Sequence, residues 1–158
     1  MTAKFLDDLH PGEKFVTGGI TLTESEIIAF ALTYDPQPFH LNAVVAAESI
    51  YGGLIASGFQ VVSLTFRLFI QMGILSESSM GSPGIDELRW FAPARPGDTL
   101  HAEVEVMAVI PSKSKPDRGI VRMRYSAFNQ RHELVSSFVV NHLLRRRDDR
   151  SLRRGDRE

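Results

Sequence analysis

The second half of the chain alternates apolar and polar residues and therefore predicts long β-strands. Every second residue is apolar over 102–108 and again over 121–127, which is the period of a strand with one buried face. Residues 85–91 and 134–144 are predicted as two further strands, the second after a hairpin-like break at 130–133. A shorter strand over 14–22 follows a Pro-Gly turn.

Helices are predicted in the first half. Thr23 and Glu26 have the spacing of a capping box, so the first helix begins at Glu24. Pro36 disfavours helical geometry in the residue before it and so ends that helix. A second, short helix is predicted over 43–50.

The longest helix is predicted over 59–72, opening at Gly58. Its apolar residues lie nearly all round it, so we expect it to be buried. Helices followed by a run of long strands favour the α+β class, with an antiparallel sheet and one apolar helix packed on it.

The length of 158 residues fits a single domain, which we place at residues 1–144. The remaining segment, 145–158, carries seven arginines and four acidic residues and is predicted to be a disordered tail. Binding of an anionic partner by this tail is the alternative.

Composition excludes several kinds of chemistry. The chain has no cysteine, which rules out disulfides, thiolate nucleophiles and cysteine-bound zinc, and its net charge of −1 shows no basic excess for nucleic acid. Neither a signal peptide nor a membrane span is predicted, so we expect a cytoplasmic protein. Four scattered histidines, at positions 10, 101, 132 and 142, show no metal-like spacing with carboxylates, so no metal site is predicted.

The candidate chemistry lies around the first helix end. Asp35 and His40 stand five residues apart in a loop with two prolines, and together they could act as a general acid/base pair. The N–H of Gly58, at the start of the longest helix, could stabilise a developing negative charge. The alternatives are structural: Asp35 as a helix terminator, His40 as a loop histidine with its hydrogen bonds satisfied, and Gly58 as a helix-start glycine.

These segments resemble the MaoC-like dehydratase family, the (R)-specific enoyl-CoA hydratases of the hotdog superfamily. The matching residues are Asp35, Pro38, Phe39 and His40, then Gly-Gly-Leu-Ile-Ala-Ser-Gly at 52–58, and further downstream 88–93 and 95–100. The resemblance covers roughly residues 10–145. Gln37 stands where the family has asparagine, and Pro36 is an additional proline.

The resemblance implies a hotdog fold, in which an antiparallel sheet wraps a long central helix. It implies a hydro-lyase that adds or removes water across the 2,3 double bond of an enoyl-CoA or related acyl thioester. Asp35 and His40 would be catalytic, Gly58 would supply the oxyanion hole, and coenzyme A would enter only as part of the substrate. A homodimer or higher homo-oligomer is expected. The alternatives are a hotdog acyl-CoA thioesterase and a non-catalytic acyl-CoA-binding accessory subunit.

Further residues are candidates for substrate contacts. Those around the acyl group are Tyr34, Phe39, Ser57, Phe59 and Trp90, with core packing as the alternative for the aromatic residues. Ser57 is expected to support the loop and not to be a nucleophile, since no Gly-x-Ser-x-Gly elbow surrounds it. Lys113, Lys115 and Arg118 form a basic loop that could meet the phosphates of coenzyme A, or could simply be a solvated turn.

Overall fold

One antiparallel sheet joins the strands in the computed structural model, which describes residues 2–147. Within that range it contains six strands: β1 (Lys14–Val16), β2 (Ile20–Thr21), β3 (Ile85–Trp90), β4 (Thr99–Pro111), β5 (Arg118–Phe128) and β6 (Leu134–Arg145). Their order is β1-β4-β5-β6-β3, and β2 also pairs with β4. All of these pairings are antiparallel, which agrees with the predicted α+β class.

The helices lie before β3 in the chain. Within residues 2–147, a 3-10 turn (Leu6–Asp8) is followed by four helices: α1 (Glu24–Tyr34), α2 (Pro38–Leu41), α3 (Ala43–Glu48) and α4 (Gly58–Ile70). Helix α1 begins at the predicted capping box: the N–H of Glu26 donates to Thr23 Oγ1 (3.2 Å), and the N–H of Thr23 donates to the Glu26 carboxylate (3.4 Å). The predicted start and end of α1 are confirmed.

Helix α2 was not predicted, because the segment between Asp35 and His40 was expected to be a loop. Its first residue is Pro38, whose fixed φ suits the start of a helix and whose missing N–H is not needed there. A single turn of helix leaves no apolar period in a sequence, since it ends before the pattern can repeat. This turn matters because it carries His40.

The core lies between α4 and strands β4 and β5. Ala102 and Val104 are buried on the inner face of β4, as the alternating pattern predicts. Phe69 of α4 is also fully buried and packs edge-on against Tyr125 of β5, with ring centroids 5.4 Å apart. The sheet therefore curves around one helix.

The prediction that the longest helix is buried on all sides is wrong for one face. Phe59, Phe66 and Ile70 are 61%, 37% and 40% exposed, whereas the polar residues Gln60 and Thr65 are buried. The hydroxyl of Thr65 donates to the carbonyl of Val61 (2.6 Å), and the Gln60 side chain donates to the carbonyl of Glu26 (3.3 Å). Backbone carbonyls of α4 and α1 thus accept from both side chains, while the side-chain oxygen of Gln60 is buried without a partner among the described residues.

Two predicted boundaries are corrected by the structure. The predicted strand over 14–22 is interrupted at 17–19, where the hydroxyl of Thr17 accepts a hydrogen bond from the N–H of Ala102 (2.8 Å) in place of a ladder carbonyl. The first three residues of the predicted tail belong to the fold: β6 runs to Arg145, and the next two arginines pair with Asp7 and Asp8. The rest of the predicted tail, 148–158, lies outside the described residues.

A histidine on β6 is buried in the core. The Nε2 atom of His142 lies 2.8 Å from the phenolic oxygen of Tyr125, with which it shares a hydrogen bond, and the ring of Phe66 stacks on the imidazole. Burial lowers the pKa of His142 from 6.5 to about 4, and it raises the pKa of Tyr125 above its ordinary value. Both side chains are therefore neutral at physiological pH.

In the described part of the chain, none of the helices is long and apolar enough to span a membrane.

Candidate active site

Asp35 and His40 meet at the junction of the first two helices. Asp35 is the residue at which α1 ends, and the turn of helix α2 brings His40 back towards it, so that Asp35 Oδ2 and His40 Nε2 are 3.2 Å apart. The side chains are 13% and 4% exposed, respectively. A carboxylate and an imidazole are thus held together in a largely dry environment.

The backbone fixes which nitrogen of His40 can exchange a proton. Nδ1 of His40 lies 2.8 Å from the carbonyl oxygen of Ile55. A carbonyl oxygen can only accept, so Nδ1 carries a proton and donates it there. Proton exchange is therefore directed to Nε2, the nitrogen that faces Asp35.

Asp35 receives hydrogen bonds on both carboxylate oxygens. The hydroxyl of Ser57 donates to Oδ2 (2.6 Å), and the side-chain amide of Gln37 donates to Oδ1 (2.7 Å). Burial raises the pKa of Asp35, but these two bonds and the neighbouring His40 outweigh it and hold the pKa below the ordinary 3.8. Asp35 is therefore ionised at neutral pH.

Gln37, which departs from the resembled pattern, contacts the candidate acid/base pair directly and lines the cavity. The longer side chain reaches back to the carboxylate two residues before it. From the sequence, Gln37 was noted only as a departure from the family's asparagine. Its position two residues after Asp35 was the signal that its side chain could reach the carboxylate.

Ser57 joins the acid/base pair to the central helix. It is the N-cap of α4, where its hydroxyl oxygen accepts from the N–H of Phe59 (3.3 Å) while its proton is donated to Asp35. The supporting role expected of Ser57 stays a prediction, and these two hydrogen bonds are what it would rest on. Gly58 follows as the first helical residue, so its N–H has no acceptor within the helix and lies at the positive end of the helix dipole.

A cavity of about 510 Å³ opens beside the pair. Six of the predicted site residues line it: Asp35, Phe39, His40, Gly58, Phe59 and Trp90. Most of the other lining residues are apolar, and Gln37 and Tyr51 add polar groups. A volume of this size suits a small organic ligand, with an apolar wall and a few convergent polar groups.

Five predicted substrate contacts are not among the described residues that line this cavity: Tyr34, Ser57, Lys113, Lys115 and Arg118. Tyr34 is 72% exposed and packs on Phe30, and the loop with Lys113 and Lys115 joins β4 to β5. Arg118 begins β5, and its guanidinium is paired with Asp117 (2.9 Å). Binding of coenzyme A phosphates by this loop stays a prediction.

Trp90 explains why residue 58 is glycine. A Cβ at this position would lie 2.5 Å from Cε2 of the indole, which is far inside van der Waals contact. The indole N–H donates to the carbonyl of Gly58 (3.0 Å), which holds this edge of the ring against the start of α4. Gly58 has no positive φ, and the requirement for glycine is therefore one of space.

We expect Gly58→Ala to lower the free energy of unfolding by about 1–3 kcal/mol, because the new methyl group must displace the indole ring. Urea unfolding measures this. In a Trp90→Ala background the same change should have much less effect. An equal loss in both backgrounds would show that contact with Trp90 is not the reason for glycine.

The expectation that the histidines lie apart is wrong for two of them. His101 and His132 come together with Glu103 on the outer side of the sheet, with one ligand atom from each within 4.8 Å of the others. The hairpin between β5 and β6 causes this, because it returns His132 to the level of His101. Spacing along the chain does not show such a contact.

An antiparallel sheet that wraps one central helix defines a hotdog-fold protein, and the acid/base pair lies beside the start of that helix. Residues 8–126 match the protein family described as "MaoC like domain", and the chain therefore belongs to this MaoC-like dehydratase family. The prediction of fold and family is confirmed.

Individual relatives agree with this assignment. The (R)-specific enoyl-CoA hydratase of Rhodospirillum rubrum is 30% identical over 69% of this chain and 74% of its own length. The uncharacterized protein YdeM of Bacillus subtilis is 28% identical over 89% of this chain and 99% of its own. The crystal structure of the MaoC-like dehydratase from Rhodospirillum rubrum has a TM-score of 0.85 and 39% identity, covering 92% of this chain and 99% of that one.

Proposed function

We propose that the protein is a hydro-lyase that adds water to, or removes it from, the 2,3 double bond of an enoyl-CoA or a related acyl thioester. The observation that carries the proposal is the Asp35–His40 pair, 3.2 Å apart in the wall of an apolar cavity. Similarity to the (R)-specific enoyl-CoA hydratase supports the substrate class.

In the hydration direction, a water molecule held by Asp35 and His40 attacks carbon 3 of the enoyl group. One of the two side chains takes a proton from this water, and the pair returns a proton to carbon 2, so that one water is added and no redox partner is needed. Because Nδ1 of His40 is engaged by Ile55, its share of the transfer passes through Nε2. General acid/base help of this kind contributes ~10²–10⁴ in rate.

Negative charge builds on the thioester oxygen as the bond to carbon 3 forms. The N–H of Gly58 is suited to receive it, since it has no acceptor within the helix and carries the positive end of the dipole of α4. A donor in such a position typically contributes ~10²–10³ in rate. The chain needs no other cofactor for this reaction; coenzyme A arrives with the acyl group.

We further propose that the protein acts as a homodimer in the cytoplasm. Phe59, Trp90 and Phe91 are about half exposed or more at the cavity, and β3 is an edge strand of the sheet. Exposed aromatic side chains beside an unpaired strand edge favour association.

Mixing the protein with crotonyl-CoA tests the function. The proposal predicts a loss of the absorbance of the conjugated enoyl group without release of free thiol, and the Asp35→Asn variant serves as the inactive control. Enoyl-CoA substrates with longer acyl chains should be tested as well, because the shape of the cavity does not define the length of the acyl chain.

Two results would contradict the proposal. Release of free thiol at the rate of the absorbance change would show a thioesterase. No change with any chain length, in a protein that still binds the thioester, would show an accessory binding subunit.

A further inference from the structure

Two potential metal ligands stand side by side on β4. His101 and Glu103 are two residues apart on this strand and so share its outer face, while Leu100, Ala102 and Val104 point into the core. His101 Nε2 and a Glu103 carboxylate oxygen are 3.9 Å apart. Their side chains are 26% and 37% exposed, so an ion from solvent can reach them.

A third ligand comes from a different part of the chain. His132 lies in the turn between β5 and β6, and a nitrogen of its ring falls within 4.8 Å of the ligand atoms of both other residues. Its φ of 56° is in the left-handed region, which is uncommon for a residue other than glycine.

Hydrogen bonds hold the turn in this shape. The side-chain oxygen of Asn129 accepts from the N–H groups of Arg131 and Glu133 (3.0 Å each). The side chain of Gln130 ties the turn to the start of β4, since it accepts from the N–H of Thr99 (3.0 Å) and donates to Asp98 (2.9 Å). His132 is thus presented to β4 by a braced turn.

Aromatic stacking orients both imidazoles. The ring of Phe128 stacks on His132, with centroids 4.5 Å apart and planes 8° from parallel, and it also stacks on His101 at 5.7 Å. The two imidazoles are therefore nearly parallel, at 15°. The stacking therefore gives both rings defined orientations in the absence of an ion.

The charges around the cluster leave Glu103 available. The acidic residue of the turn, Glu133, is engaged by Arg131 (3.0 Å) and by the amide of Asn129 (3.0 Å). Among the described residues, the ion-pair partner of Glu103 is His101.

We propose that His101, Glu103 and His132 bind a divalent transition metal ion, with zinc as the best fit. Two imidazoles and one carboxylate form a donor set that zinc accepts, and the fourth position stays open to water. Ligands at zinc distances are roughly 3.3 Å apart in a tetrahedron, so these half-exposed side chains must approach by about 1 Å. Because two ligands lie on β4 and the third lies in the β5–β6 turn, the ion would link the strand to the turn. None of the three is among the described residues that line the cavity.

Titration calorimetry with zinc on the untagged full chain tests the proposal. We expect one saturable ion per chain and, at 100 times the dissociation constant, a rise of about 5–10 °C in the melting temperature. Cobalt in the same site should give the visible absorption of tetrahedral coordination. Magnesium, which prefers oxygen ligands, should have no effect.

The variants His101→Ala, His132→Ala and Glu103→Gln should each weaken zinc binding more than tenfold while keeping the metal-free melting temperature. His10→Ala is the matched control, because this histidine is exposed in the entry segment, and it should bind zinc as the wild type does. The proposal is overturned if zinc does not bind saturably. It is equally overturned if binding survives loss of His101 and His132 but is abolished by His40→Gln.

Discussion

Replacing His40 by glutamine is expected to lower the rate of enoyl-CoA hydration by ~10²–10⁴. Glutamine removes the proton-exchanging nitrogen, yet its amide can still donate to the carbonyl of Ile55, which His40 now satisfies at 2.8 Å. Alanine is a poorer choice, since His40 is only 3% exposed and its removal would leave a void. The turnover number for crotonyl-CoA measures the effect.

Asp35→Asn is expected to lower the hydration rate by the same factor, because a neutral amide cannot act as a base and take a proton from the water. The double variant should be little worse than either single variant, as is usual for groups that act as one unit. Stability checked by urea unfolding should change little, and His10→Ala should keep the full rate. Wild-type turnover in either single variant would show that the pair does not perform the chemistry.

The second large effect concerns the pH dependence of stability, through His142. Its pKa is about 4 in the folded protein and 6.5 as an ordinary value, so below pH 6.5 the unfolded chain takes up the proton first. The contribution of neutral, buried His142 to the free energy of unfolding is complete above pH 6.5, and it falls by about 3 kcal/mol as the pH drops to 4. Between pH 7 and pH 5 we expect a loss of about 2 kcal/mol from this residue.

Urea unfolding at pH 7 and pH 5 measures this loss, and His142→Gln should remove most of it. Tyr125→Phe is the matched control: it deletes the hydroxyl bonded to His142 but keeps the buried imidazole, so the pH dependence should persist. Carboxylates with lowered pKa values, such as Asp35 and Asp8, act below pH 4 and do not overlap this range. Equal pH dependence in the wild type and His142→Gln would contradict the account.

Local signals predicted the helices and strands that have strong patterns. The capping box at Thr23 and Glu26 fixed the start of α1, and the alternation along β4 and β5 gave strands whose inward residues are buried. Helix α4 shows the limit of such signals. Its apolar residues are spread round the helix, and only the packing of the sheet decides that Phe59 is exposed and Thr65 buried.

For the site, the sequence supplied the residues but not their hydrogen bonds. Asp35, His40 and Gly58 were predicted together, and the structure brings them to one cavity. The bond from Ser57 to Asp35 spans 22 residues and depends on where α4 begins relative to α1, which no local pattern encodes. The meeting of His101 with His132 likewise depends on the turn between β5 and β6.

The most direct test of the central claim is a reaction with crotonyl-CoA in water labelled with oxygen-18, followed by mass spectrometry of the products. The account predicts an intact thioester that has gained one labelled water, with the label on carbon 3. Label in a free carboxylic acid with coenzyme A released, or no labelled 3-hydroxyacyl thioester at all, would contradict it.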